Sequence, residues 1–359
     1  MQFVAYLALA SSMKDKGKVT IYDISKKLNV SAATVSRALN NNPKISSKTR
    51  ELVFAAAKEM NYKQNRLAQA LKSGKSKNVG VIVPYINRNF FSTIIRGIEE
   101  ELGPHGYHVI ICQTHEQMDT EVEQINTLLN TQVDGIFMSI SKSTTNTDHF
   151  NKVLREGKSL IFFDRKLDVP GVSSVVINDF KAGFMATEHL ISQGCKRIAH
   201  FSGDLNLEIY KNRHDGYISA LKSHGLKPDP RYIFTTLSSV ESGAAAARKM
   251  WELKEKPDAV FSASDYTALG AVQELRKHGV RIPEDFCISG FSNEPFTQYM
   301  ELPMSSVDQT PLRMGQIAAQ VFLEQVDSNQ ELSIEKKVVL SPELVVRKSS
   351  DRSLSKLAV

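Results

Sequence analysis

Seven residues in one short stretch, Ser31, Ala32, Ala33, Thr34, Ser36, Arg37 and Asn40, are of the types that read a nucleic acid rather than break a bond. Hydroxyls, an amide and a guanidinium meet base edges and phosphates with hydrogen bonds, and small alanines leave room for a helix to enter a major groove. A helix that merely packs in a hairpin more often shows Glu and Lys on such a face. The chain carries no GxSxG elbow, HExxH pair, P-loop or GxGxxG turn. Ser139-Ile140-Ser141-Lys142 spells SxxK, but without SDN and KTG companions the pattern is expected by chance. Nine histidines lack metal-ligand spacing, and Cys112, Cys195 and Cys287 lack CxxC spacing. Three scattered cysteines are more simply buried apolar residues of a protein in a reducing compartment. No catalytic residue, metal site or cofactor is expected.

The elements that must hold the seven residues lie on either side of them. Thr20 is an N-cap with Asp23 three residues on, and Ile21, Ile24 and Leu28 follow at helical spacing. That helix stops at Asn29. Ser31 caps a second helix over 32–39, with Val35 and Leu39 turned inward. A helix, a short break and a second capped helix make the helix-turn-helix outline. A third helix starts at Ser46, turns Leu52, Val53, Ala56 and Met60 inward, and frays near Asn61 and Tyr62. Charge agrees with this division. Residues 1–78 hold 15 Lys+Arg against 4 Asp+Glu, a net of +11, and residues 79–359 hold 30 against 35, a net of −5, which together give the +6 of the whole chain. A basic head on a mildly acidic body is the footprint of a polyanion-binding module joined to something else.

From Asn78 onward, short β-rich runs (NVGVIVP, YHVIICQT, GIFMSI, SLIFFD, SSVVIN, RIAHFSG, YIFTT, DAVFSA, FCISGF) alternate with amphipathic stretches near 91–103, 119–131, 181–193, 212–224, 241–254 and 266–278. That alternation predicts parallel sheets covered by helices, an α/β body behind an all-α head. About ten strands exceed one sheet of normal size, so two subdomains are expected. Ligands of open parallel sheets sit beyond the carboxyl ends of the strands. Those ends read Tyr85 to Phe91, Ser141, Asp164-Arg165, Asn178-Asp179, Ser202 to Asp204, Ser264-Asp265 and Ser292-Asn293. They supply a lining suited to a small polar molecule.

The segment from VTIYDI through VSAATVSRALN, KTRELV and NY to NRLAQAL resembles, over its whole length, the head piece and hinge of the lactose-repressor/galactose-repressor (LacI/GalR) family. The body is similar to the same family's sensor domain, of the type I periplasmic-binding-protein fold, through VGVIVP, FFDR, PDAVFSASDYTALGA, GVRIPEDF and MSSVDQTPLRMG. The resemblance implies that Ala32 and Ala33 occupy the variable pair that helps choose the operator and that Arg37 contacts bases or phosphates. It further implies that Thr20, Tyr22, Ser31, Thr34, Ser36 and Asn40 touch backbone or adjacent bases. Two alanines offer thymine-methyl contacts but no hydrogen bonds, so specificity leans on Arg37, Asn40, the hinge and DNA shape. Asn65, Arg66, Ala68 and Leu71 match the hinge, with Leu71 as the minor-groove wedge. In the body, Phe90, Phe91, Asp164, Arg165, Arg213, Ser264, Asp265 and Ser292 match effector-contacting positions. For each the ordinary alternative stands beside it, such as Asp164 capping a loop, Phe90 in the core or Arg213 in a surface ion pair. Tyr85 and Ser292 replace frequent Asp residues, so the effector is expected to be a sugar, a sugar derivative or an anion held by Arg213 and Arg165.

The expected organisation is a leader over 1–17, the DNA-binding domain over 18–64, a hinge and linker over 65–77, an effector-binding and dimerisation body over 78–348, and a tail over 349–359. The apolar run 2–12 lacks a basic flank and is too short to span a bilayer, so residues 1–17 are expected to be a disordered leader or to precede a start at Met13. A transport binding protein would share the body fold but needs a signal peptide and no basic head. The expected protein is a cytoplasmic homodimer, or a tetramer, on pseudo-palindromic double-stranded operator DNA, with no membrane partner.

Overall fold

In the computed structural model, which describes residues 19–63, 75–327 and 335–355, the first helix (α1, Ile21–Leu28) begins at its predicted cap. The Asp23 carboxylate accepts hydrogen bonds from the Thr20 N–H at 2.8 Å and the Thr20 hydroxyl at 2.7 Å. Asn29 ends the helix in the left-handed conformation, with φ of 49°. The second helix (α2, Ala32–Leu39) starts on Ser31, whose hydroxyl accepts from the Thr34 N–H. The third (α3, Ser47–Glu59) starts on Ser46 in the same way. Ile24, Val35, Ala38, Val53, Ala56 and Ala57 form the small head core. Leu52 does not join it. The residues at 53, 56, 57 and 60 share one helical face, and Leu52 falls a step outside it, 54% exposed beside Phe54.

Contacts divide the chain into this head and a body that begins at Lys77. Among the described residues the body contains two six-stranded sheets. The first joins β1 (Asn78–Val83), β2 (His108–Gln113), β3 (Gly135–Met138), β4 (Ser159–Phe163), β5 (Ser173–Ile177) and β11 (Lys337–Leu340) in the order β11-β5-β4-β3-β1-β2, all parallel. The second joins β6 (Ile198–Ser202), β7 (Ile233–Thr235), β8 (Ala259–Ser262), β9 (Cys287–Phe291), β10 (Ser305–Asp308) and β12 (Glu343–Val345) in the order β12-β10-β9-β8-β6-β7, with only β12 antiparallel. Central strands such as β1, β3 and β8 are buried along almost their whole length, as covering on both faces requires.

Helices α4 (Asn89–Leu102), α5 (Met118–Asn130) and α6 (Asp148–Arg155) serve the first lobe, joined later by the long helix over Pro311–Asp327, which packs on α4. Helices α7 (Asp179–Ser192), α8 (Glu208–Ser223), α9 (Val240–Trp251) and α10 (Asp265–Lys277) serve the second. The chain passes between lobes after Ile177, after Asp308 and after Leu340. The crossings touch, since the Asn178 N–H donates to the Leu340 carbonyl at 2.9 Å. The body does not stop at 348. Ser349 and Ser350 are fully buried, the Ser349 hydroxyl donating to the Ile288 carbonyl at 2.6 Å, so at least this much of the expected tail belongs to the second lobe. Among the described residues no helix is long and apolar enough to cross a membrane.

Candidate nucleic-acid interface and ligand cavity

On the head, Thr20, Tyr22, Ser31, Ala33, Arg37 and Asn40 are exposed, and Ala32, Thr34 and Ser36 are half-buried. Several already serve the fold. The Ser31 and Thr34 hydroxyls lie 2.8 Å apart within the α2 cap, and the Asn40 amide donates to the Ser36 carbonyl at 2.8 Å. Arg37 differs: its guanidinium is exposed on the last turn of α2 and forms no ion pair among the described residues. Tyr22, 69% exposed, adds a large side chain from α1. Asn65, Arg66, Ala68 and Leu71, expected in the hinge, lie outside the described residues, as does the leader over 1–17.

In the body, the carboxyl ends of the two sheets face one cavity of about 230 Å³. Phe90, Phe91, Asp164 and Arg165 line it from the first lobe, and Arg213, Ser264, Asp265 and Ser292 from the second. All eight expected residues are therefore brought together. Phe90 and Phe91 meet edge to face at 5.2 Å and are also part of the core. Asp164 has φ of 61° and Ser292 φ of 106°, conformations uncommon outside glycine and concentrated at functional sites.

The arginines are organised around carboxylates. Arg165 donates to both oxygens of Glu116, at 2.8 and 3.1 Å, and its Nε is buried without a hydrogen-bond partner. Arg213 donates from Nε to Asp179 at 2.7 Å, from Nη1 to the Ala263 carbonyl at 3.3 Å and from Nη2 to Gln309 at 3.5 Å. Its guanidinium lies 3.6 Å over the Phe291 ring. Gln309 in turn donates to the Ser292 hydroxyl at 3.0 Å. Asp179 follows the first crossing and Gln309 the second, so Arg213 ties two crossings together beside the cavity. Arg165 and Arg213, expected as counter-charges of an anion, each already face a carboxylate at hydrogen-bond distance. The lining as a whole holds four basic and four acidic side chains.

Asp265 lines the cavity yet is itself fully buried. Its carboxylate accepts from the Glu294 N–H at 2.8 Å and the Ser306 hydroxyl at 2.7 Å. Burial outweighs these bonds and pushes its carboxyl up to about 7. Burial likewise raises Asp164, against the pull of Arg165 and Arg213. Tyr210 behaves oppositely: burial works to raise its phenol, but the positive charges of Lys142, Arg165 and Arg213 outweigh it and the net shift is downward.

Glu116, Lys142, Tyr210, Glu294 and Gln309 also line the cavity and were not among the expected residues. Four of them lie within four residues past a strand end, so extending the strand-end rule into the loops reaches them. Tyr210 stands three residues before Arg213 on α8, on a shared face. Ser141, Asn178, Ser202 and Asn293, read as strand-end candidates, are not lining residues. Ser141 donates to Thr114 at 2.9 Å beneath the wall, Asn178 caps α7 and Asn293 donates to Asp308 at 2.7 Å.

A helix-turn-helix head on a two-lobed body with a polar cavity between parallel sheets defines a regulatory protein of the DNA-reading, ligand-sensing class. Residues 20–65 match the family described as bacterial regulatory proteins, lacI family, and residues 76–345 match periplasmic binding proteins and sugar binding domain of LacI family. The chain belongs to the LacI family. It is 33% identical over 343 residues to the HTH-type transcriptional repressor CytR of Escherichia coli (strain K12), covering 94% of this chain and 98% of that one. A solved complex of the transcriptional regulator CelR with cellobiose matches with a TM-score of 0.68 at 29% identity, over 92% of this chain and 99% of that one. The lac repressor dimer bound to operator matches with a TM-score of 0.82 over 93% of this chain and 99% of that one, and at 24% identity it speaks for the fold alone.

Proposed function

We propose that this chain is a transcriptional repressor, working in the cytoplasm as a homodimer, whose grip on a pseudo-palindromic operator is set by a small uncharged, hydroxyl-rich effector such as a sugar or sugar derivative. The supporting observation is the pairing, in one chain, of an exposed Arg37 on a capped second helix with a polar cavity whose buried Arg165 and Arg213 already face carboxylates. In the head, α2 enters the major groove, Arg37 reads base edges or phosphate, and Ala32 and Ala33 accept a thymine methyl. Thr20, Tyr22, Ser31, Thr34, Ser36 and Asn40 hold the register on the backbone, several by keeping α2 capped. Asn65, Arg66, Ala68 and Leu71 complete the interface from the hinge.

In the cavity, matched Arg–carboxylate pairs suit an uncharged polyol. Each pair lends spare donors and acceptors to hydroxyls without leaving an unneutralised charge against the ligand. Phe90 and Phe91 supply an apolar wall, and the volume lies below the roughly 300–1,000 Å³ of drug-sized sites, which favours a small molecule. The test combines two measurements on the full chain. A thermal-shift screen of neutral sugars, nucleosides, sugar phosphates and sugar acids should give its largest shifts with uncharged members. A promoter fragment from the chain's own genome should be retained over random competitor, with retention altered by the same hits. Shifts confined to sugar acids or phosphates, or no preference for any promoter fragment, would count against this reading.

A further inference from the structure

Beyond its three covalent crossings, the body joins its lobes by side chains that reach across the cavity mouth in opposite directions. Arg88 belongs to the first lobe, as the N-cap of α4. Its guanidinium lies 3.9 Å over the ring of Tyr266 and donates to the Ser238 carbonyl at 3.4 Å, both in the second lobe. Glu294 belongs to the second lobe, three residues past β9, and is 4% exposed. It lines the cavity together with Arg88 and Phe90 of the first lobe, and burial raises its carboxyl against the pull of the Arg88 charge and of the Phe90 and Asn89 N–H groups. Asp265 holds the Glu294 backbone in place by accepting its N–H at 2.8 Å. A third cross-lobe contact, Lys166 to Glu208 at 3.2 Å, is more exposed and correspondingly weaker.

We propose that Arg88 and Glu294 form a reciprocal latch that holds the two lobes closed over the cavity without help from a ligand. The Arg88 cation stacked on the Tyr266 ring is strengthened by the partial burial that closure creates, and a carboxylate beside the N-terminal end of a 14-residue helix is favoured by the helix dipole. Opening breaks both at once, because each side chain is anchored in one lobe and satisfied in the other. The latch therefore biases the open–closed equilibrium on which an effector acts, and ligand affinity is raised in proportion to the closed fraction already present. This consequence for regulation rests on the function proposed above, whereas the latch itself is a property of the body.

Hydrogen exchange on the full chain without ligand tests it. Arg88→Ala should speed exchange of backbone amides in 262–268 and 289–297, across the cavity from the substituted residue, by at least about fivefold. Glu294→Ala should do the same for 86–91 on the other lobe, and Glu294→Gln, which keeps an acceptor but no charge, should fall between it and the parent. Amides of β1 and β8 should keep their protection, reporting an intact fold. Where an alanine variant loses that protection, Arg88→Lys and Glu294→Gln are read by the same criterion. Exchange that is unchanged, or faster only in the substituted residue's own lobe, overturns the latch. Operator binding on the same preparations separates the two ideas: its absence from every protein, parent included, overturns the proposed function and leaves the exchange result standing.

Discussion

Arg37 is the one long cationic side chain on the outer face of α2, and it is exposed without an ion-pair partner among the described residues. A guanidinium in that position has its fork of donors ready for a guanine edge or a phosphate. Arg37→Ala should therefore weaken operator binding by roughly 1–3 kcal/mol, and if the contact is to a base it should relax discrimination at one operator position. Titration of labelled operators by fluorescence anisotropy, with single-base variants, reads both effects, and an unchanged affinity would remove Arg37 from the interface. Asp265 makes a different prediction. Its carboxyl is raised from the ordinary 3.8 to about 7, chiefly by burial, so folding takes up a proton there. The stability this proton uptake supplies is fully present below about pH 4 and is lost as pH rises through about 7. Measured against Asp265→Asn, which never ionises, the parent's relative stability should fall by roughly 2–4 kcal/mol between pH 4 and pH 8. Urea midpoints across that range check it, and a constant difference would mean that the carboxyl is not raised.

Arg213 is held by an element whose packing leaves little slack. Helices α7 and α8 cross so closely that a Cβ on Gly183 would lie 2.1 Å from the Arg213 carbonyl oxygen, and one on Gly216 2.1 Å from that of Phe180. This approach is what sets Arg213 2.7 Å from Asp179. Gly216→Ala should force the helices apart, destabilise the body by roughly 1–3 kcal/mol and loosen the Arg213–Asp179 pair. Thermal unfolding checks the first effect, and an ordinary Tm would show that the helices slide without cost. The same elements show how much the sequence disclosed. Nine strands and six of the helices between them were readable because apolar runs such as NVGVIV and SLIFF are buried on both faces and bounded by turns, whereas α6 and the helix over Pro311–Asp327 were not named. β10, β11 and β12 were not readable. Ser305 and Ser306 are fully buried through hydrogen bonds to Arg347 and Asp265, which no hydrophobic pattern announces, and β11 and β12 are edge strands of four and three residues. Of the eight expected cavity residues, all but Arg213 were reachable because strand ends converge by topology, and Arg213, inside α8, came only from the family resemblance. Their bonding was not reachable, since only tertiary structure pairs Arg165 with Glu116, 49 positions earlier.

At the scale of the molecule, a basic head and a mildly acidic body divide the work. On the function proposed above, the head supplies the electrostatic part of DNA affinity, and the body carries the equilibrium that an effector shifts. If closure of the cavity and operator binding are coupled, the coupling is a single free energy shared by both ligands. An effector that changes operator affinity by some factor must have its own affinity changed by that factor when operator is present. Couplings of this kind typically amount to about 5–150-fold. Calorimetric titration of an effector found by the screen, with and without a saturating operator duplex, should return the same factor as anisotropy titration of the operator with and without effector. The direction is left free by this argument, but the equality is not. Salt should separate the two partners further. Operator affinity should fall steeply with ionic strength because binding to phosphates releases counterions, whereas affinity for an uncharged effector in a cavity of matched ion pairs should scarcely move. An effector affinity that declined with salt as steeply as operator affinity would mean that the cavity binds charge after all, and that its arginines exchange Glu116 and Asp179 for an anionic ligand.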